Sequence, residues 1–205
     1  MENLVKLVGH YGSDETHALS AWTSTHRDIT EERRERMDKL LNMLAQEGHH
    51  TPFEKSVLHF VVDIETASHI HILKHRIGVS VNGESARYKE HTQDKWFIPP
   101  DWPYWMQEDL QMWCEEGFRR YHGTVAHLVL NGVSRKRAKE SARFYLPYAS
   151  QLTLDVSFNF RSFMHFQRLR NDSHAQDEIH GIALAMLNEV RKTGDFDLSL
   201  AAFGY

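Results

Sequence analysis

Between Lys74 and Arg87 the chain reads KHRIGVSVNGESAR. Lys74, His75 and Arg76 offer cationic or protonatable donors, and Ser80, Asn82, Ser85 and Arg87 follow with more. Such an inventory suits a phosphate or pyrophosphate, because arginine forks bind its oxygens in pairs and each charge-assisted hydrogen bond contributes on the order of 1.5–3 kcal/mol net. The competing reading is a polar loop facing water, which the serines and asparagine interleaved with cations weaken. A second cluster lies in NFRSFMHFQRLRNDSHAQDEIH, where Asn159, Arg161, His165, Arg168, Arg170 and His174 recur between aromatic residues. Arg161, His165 and Arg168 stand four and three apart, which predicts one polar stripe along a helix. Phe160, Phe163 and Phe166 read as core residues and not as a stacking platform.

Other chemistries find less support. The fifteen histidines raise the question of a metal, but His71 and His75 in HILKH have no acid between them and no third ligand nearby in sequence. Neither G-x-S-x-G nor a strand followed by G-x-G-x-x-G occurs. The single cysteine, Cys114, excludes an intrachain disulfide. It sits in MQEDLQMWCEEGF, an amphipathic helix pattern with no cation placed to lower its pKa, and reads as structural.

Several elements must position these residues. LVKLVG predicts a short strand at or next to a sheet edge, with GSDE as a turn. A helix follows, with Asp28 and Glu31 as a capping box, Ile29, Met37, Leu40, Leu41 and Leu44 as its apolar set, and Gly48 as its end. Its EERRER run is a solvated face. KSVLHFVVDI alternates as a half-buried strand, with Leu58, Phe60, Val62 and Ile64 on one side. TASHIHILKHR places Ile70, Leu73 and Ile77 at helical spacing, so the first motif starts near a helix end and continues into a loop. After the proline-bounded KWFIPPDWP come two helical stretches, the second ended by Pro147. QLTLDVSFNF is a strand, RSFMHFQRLR a helix, and SHAQDEIHGIALAMLNEVRK a long helix with Ile179, Ile182, Ala183, Met186 and Val190 on one face. The expected class is α+β: one helix-rich domain over residues 1–205 with a mixed or antiparallel sheet.

A net charge of −4 argues against a general nucleic-acid binder. No apolar run approaches the roughly 20 residues that span a bilayer, and the opening residues lack a signal-peptide pattern, so a cytoplasmic protein without a membrane partner is expected.

KHRIGVSVNGESAR resembles the signature R-H-R-x-x-S-x-N-x-x-S-x-R of the flavin-dependent thymidylate synthases. HHTPFE upstream, and ARFYLP and NFRSFMHFQRLRNDSHAQDEI downstream, are similar to that family's other blocks in the same order. Lys74 stands where the signature has arginine, and one extra residue separates Arg76 from Ser80. Gly83 occupies a frequent glutamate position with Glu84 beside it; His71 and His165 replace a glutamine and an asparagine. The resemblance implies that family's fold and a homotetramer whose active sites are shared between subunits. It implies FAD as cofactor and methylation of dUMP at C5, with 5,10-methylenetetrahydrofolate and NADPH as co-substrates and no cysteine nucleophile. By the same matching, Arg170 contacts the uracil and stabilises its ionised N3 form. Ser85, Ala86, Arg87 and Arg143 hold the dUMP phosphate, His71 and Lys74 complete that pocket, and Glu84 contributes to both ligands. FAD would be held by Thr51, by Lys74, His75 and Arg76 along its phosphates, and by Glu84, Asn159, Arg161, His165 and His174. Rival expectations are a sibling enzyme making another 5-substituted product, such as 5-hydroxymethyl-dUMP, and a non-catalytic nucleotide binder.

Overall fold

Alternation decides the two central strands. In β2 (Val57–Glu65) the side chains of Leu58, Phe60, Val62 and Ile64 are fully buried, and in β4 (Gln151–Asn159) Leu154, Val156 and Phe158 are buried while Asp155 faces water. The computed structural model, which describes residues 2–23, 28–84 and 93–205, adds β1 (Leu4–Tyr11) and β3 (Val79–Gly83) in the order β1-β2-β4-β3. Glu84 N donates to Thr153 O (2.8 Å) and Asn159 N to Gly78 O (2.9 Å), so numbers rise along one strand as they fall along its neighbour. That register makes β3 and β4 antiparallel. The pairs His59–Asp155 (2.7 Å) and Thr66 N to Ser150 O (3.0 Å) do the same for β2 and β4. The sheet as a whole is antiparallel, and β1 lies at an edge as its short apolar run predicts.

The chain divides into two compact units. One unit comprises residues 1–4, 62–72 and 82–154. It holds most of α3 (Thr66–Leu73) together with α4 (Tyr104–Leu130) and α5 (Arg135–Ala142), the last two packed on each other around Tyr121, Val125, Ala138 and Ala142. The other comprises residues 5–61, 73–81 and 155–205, with α1 (Asp14–Trp22), α2 (Glu31–Gln46), α6 (Phe160–Arg170), α7 (Asp177–Arg191) and α8 (Asp197–Ala202). Among the described residues no helix is long and apolar enough to cross a membrane.

Four local expectations change. GSDE is not a plain turn: Ser13 caps α1, its Oγ accepting from Thr16 N while Thr16 Oγ1 accepts from Ser13 N. For α2 the cap residue is Thr30 without a side-chain bond, so Asp28 lies too early to form the expected box. At its other end Gly48, at φ +74°, does what the sequence predicts: His49 N donates to Leu44 O and Gly48 N to Ala45 O, closing a Schellman turn. On α3 the buried side chains are Ser68 and Ile72; Ile70 and Leu73 are exposed and Ile77 lies beyond the helix. The expected loop after Arg76 becomes β3, because Val79 to Gly83 pairs with β4.

The helix α8, six residues long and below what periodicity can resolve, is held from a distance. Asp14 accepts from Leu198 N and Ser199 N, both at 2.8 Å, satisfying two amides at its start. Ser199 Oγ also donates to Asp14 (2.5 Å), and the fully buried ring of His17 links Ser199 Oγ (2.8 Å) to Ser56 Oγ (2.7 Å). The rings of Phe53, Phe160 and Phe196 surround His17, and this burial pushes its pKa down to about 4.

Candidate active site

The helix α6 continues directly from β4, and its start is tied on three sides. Asn159 Oδ1 accepts from Ser162 N (2.8 Å) as an N-cap, Asn159 N donates to Gly78 O (2.9 Å), and Ser162 Oγ donates to Ile77 O (2.7 Å). Ile77 and Gly78 are thereby fastened to the start of α6. Gly78 takes φ +64°, and a Cβ there would run into the side chains of Asn159 and Ser162. The segment that carries the extra residue of the motif thus passes α6 at backbone distance, where glycine is required.

Phe160, Phe163, Met164, Phe166 and Gln167 bury one side of α6, as the aromatic spacing predicts, and Gln167 Nε2 reaches Ala183 O of α7 (2.9 Å). Arg161, His165 and Arg168 fall on the other side. They line a cavity of about 570 Å³ with Gln46 and Ala45 at the end of α2, His50, Ile77, Ser162, Met164, and Ala202, Phe203 and Gly204. Arg161 pairs with Glu54. Arg168 Nη2 approaches His165 Nδ1 (3.4 Å); partial burial, then Arg168 and Arg161, hold His165 below the usual imidazole range. His50 donates from Nε2 to Ala45 O (3.1 Å) and packs on Phe203 at 5.2 Å between ring centroids. A lining that combines the apolar Ile77, Met164 and Phe203 with two guanidinium groups and two imidazoles suits a ligand carrying negative charge.

At the other end of α6, Arg170 Nε donates to Nε2 of His75 (3.2 Å). His75 is 9% exposed, and its ring stands edge-on to Phe166 (5.1 Å) and His165 (5.9 Å). Two blocks 95 positions apart in sequence, each singled out for its donors, therefore meet directly.

The remaining expected residues are distributed differently. Lys74 and Arg76 flank His75 and are exposed. Thr51, the exposed first residue of a 3-10 turn (Thr51–Glu54), and Asn159, occupied as the cap of α6, are absent from the cavity lining. His174 is exposed and bonded to Asp172 (2.8 Å). In the other unit, His71 lies on α3 and Arg143 is exposed at the start of a 3-10 turn (Arg143–Tyr145). Glu84 belongs there too, with its carboxylate near Thr153 N (3.5 Å). Ser85, Ala86 and Arg87 lie outside the described residues. Sequence reasoning left His50, Arg168 and Phe203 unassigned: Arg168 completes the stripe of Arg161 and His165, His50 adjoins Thr51, and no signal marked Phe203. Cys114 is fully buried in α4, its thiol pushed up to about 11 by burial and then by Glu115. Among the described residues no three His, Cys, Asp or Glu side chains are grouped to hold a metal ion.

Residues 6–193 match the family model described as thymidylate synthase complementing protein. The flavin-dependent thymidylate synthase of Pseudothermotoga lettingae is 34% identical over 189 residues, covering 89% of this chain and 82% of the relative. That of Kosmotoga olearia is 31% identical over 200 residues, covering 90% and 84%. Among solved structures, the UMP/dUMP methylase PolB of Streptomyces cacaoi, bound with 5-Br dUMP, is similar with a TM-score of 0.78 at 25% identity, covering 98% of this chain and 94% of that one. These likenesses agree on one class, flavin-dependent enzymes and a nucleotide methylase of the same α+β fold. The chain belongs to the flavin-dependent thymidylate synthase family.

Proposed function

We propose that the protein is an FAD-dependent thymidylate synthase. It methylates dUMP at C5, with 5,10-methylenetetrahydrofolate as carbon donor and NADPH as reductant, in a homotetramer whose active sites are shared between subunits. The observation that carries this reading is the meeting of His75 and Arg170, which unites the two sequence blocks that resemble the family's ligand-binding segments. Family membership and the likeness to a methylase bound with a dUMP analogue support it.

The donor set fits a flavin nucleotide: Arg161, His165, Arg168 and His50 line the cavity with the apolar Ile77, Met164 and Phe203, and Lys74 and Arg76 add exposed cations close by in the chain. Flavin held there would supply the hydride chemistry of the reductive methylation. The chain's own part is electrostatic and positional. Arg170 places a fixed cation against the uracil, stabilising negative charge as N3 ionises. By the family matching, Ser85, Ala86, Arg87 and Arg143 would bind the nucleotide phosphate through side chains and backbone N–H groups, His71, Lys74 and Glu84 would contribute to the same ligand, and Thr51, Asn159 and His174 would serve the flavin. Cys114 takes no part, because a buried thiol with a pKa near 11 is not a nucleophile at neutral pH.

Purified protein should be yellow, bleach on adding NADPH, and convert dUMP and methylenetetrahydrofolate to a product of the mass of dTMP. Colourless protein that takes up no FAD would overturn the reading, and a product heavier by one oxygen would replace it with the hydroxymethylating sibling. The likeness to a UMP/dUMP methylase favours a second reading, in which UMP is also accepted. Parallel assays with UMP and dUMP separate the two.

A further inference from the structure

We propose that His75 is the positioning residue of Arg170, an inference that rests on the reading of Arg170 as the group that meets the pyrimidine. Arginine nitrogens only donate, so the contact from Arg170 Nε requires His75 Nε2 to be an unprotonated acceptor, with the ring proton on Nδ1. The ring is neutral and in a single tautomer. It stands edge-on to Phe166 and His165, and the chain two and three residues further on is held by Ile77 O and Gly78 O, which accept from Ser162 Oγ and Asn159 N.

This arrangement differs from an ion pair in what it leaves behind. A carboxylate would take the arginine fork in pairs and cancel its charge. A neutral imidazole on Nε fixes the guanidinium at its root, keeps the full positive charge, and uses none of the terminal N–H groups. Among the described residues Arg170 makes no other hydrogen bond, so both terminal nitrogens remain for a ligand. His75 Nε2 cannot donate to a flavin phosphate while it accepts from Arg170, which leaves the phosphate role in this segment to Lys74 and Arg76.

The test uses holoenzyme with His75→Gln, whose side-chain carbonyl can replace the Nε2 acceptor, and His75→Leu, which removes it. His75→Gln should keep kcat within about threefold, and His75→Leu should lower it about 10–100-fold at saturating dUMP while flavin content and NADPH-driven bleaching stay near the parent level. His75→Leu combined with Arg170→Ala should be no slower than Arg170→Ala alone, as expected for residues acting as one unit. Additive losses, or His75→Leu with parental turnover per bound flavin, would overturn the proposal. A second readout does not depend on turnover or on the folding of the leucine variant. With 15N-labelled histidine, the parent should show His75 Nε2 as an unprotonated acceptor whose resonance moves in Arg170→Ala; a protonated Nε2, or one that does not move, refutes the contact. If that signature is present and no dTMP forms, the functional reading has failed and the positioning contact stands.

Discussion

Cys114 and Arg170 occupy opposite ends of a scale of chemical readiness. With its pKa pushed up to about 11, the Cys114 thiol is ionised in only about one molecule in ten thousand at pH 7, and it is fully buried. Arg170 carries the fixed charge of a guanidinium at the half-buried end of α6, and among the described residues its terminal nitrogens make no hydrogen bond. Cys114→Ala should retain dTMP formation within about twofold and lose about 1 kcal/mol of stability to the small void it leaves. Arg170→Ala should lower kcat at least about 100-fold at comparable flavin content, the scale of removing one preorganised electrostatic contact. Steady-state kinetics alongside urea denaturation checks both; a folded Cys114→Ala protein as slow as Arg170→Ala would defeat the cysteine-free mechanism.

At the scale of elements, the decisive object is the chain at Ile77 and Gly78, fastened to the start of α6. Gly78→Ala must place a Cβ against Asn159 and Ser162 and hold alanine at φ +64°. The expected cost is about 1–3 kcal/mol in urea denaturation, with loss of retained flavin. Much of α6 was legible in the sequence, because spacings of four and three among Arg161, His165 and Arg168 and the phenylalanines between them are a local pattern that a helix turns directly into two faces. The strands β2 and β4 were legible for the same reason at a period of two. What local pattern cannot carry is tertiary pairing. The strand β3 exists because β4 lies beside it, α8 because Asp14 reaches its first amides, and the contact of Arg170 with His75 crosses 95 positions. The cavity wall at Phe203 belongs to this group. So do Thr30, which displaced Asp28 as the cap of α2, and Ser13, whose capping box turned a supposed turn into a helix.

For the molecule as a whole, the buried chain Asp14–Ser199–His17–Ser56 joins α1, α8 and the start of β2, and it makes stability depend on pH. His17 binds a proton at about 4 in the fold and near 6.5 when unfolded. Its contribution is therefore complete above pH 6.5 and lost as pH falls toward 4, on the order of 3 kcal/mol in total. Burial shifts Asp14 the other way, raising its pKa, so protonation of that carboxyl below its raised value relieves a cost and offsets part of the loss. Urea midpoints should drop between pH 7.5 and pH 5, and His17→Gln should flatten that dependence; an unchanged slope would assign it elsewhere. The helix α6 has a further consequence on this scale. One rigid rod of eleven residues carries the cavity stripe along its length and Arg170 at its end, so a ligand that rotates or settles the rod at one place alters what is presented at the other. Such an influence is bound by linkage to be mutual. On the proposed function, whatever factor dUMP imposes on the dissociation constant of FAD, FAD must impose on that of dUMP, and titrating each in the presence and absence of the other should return one number twice.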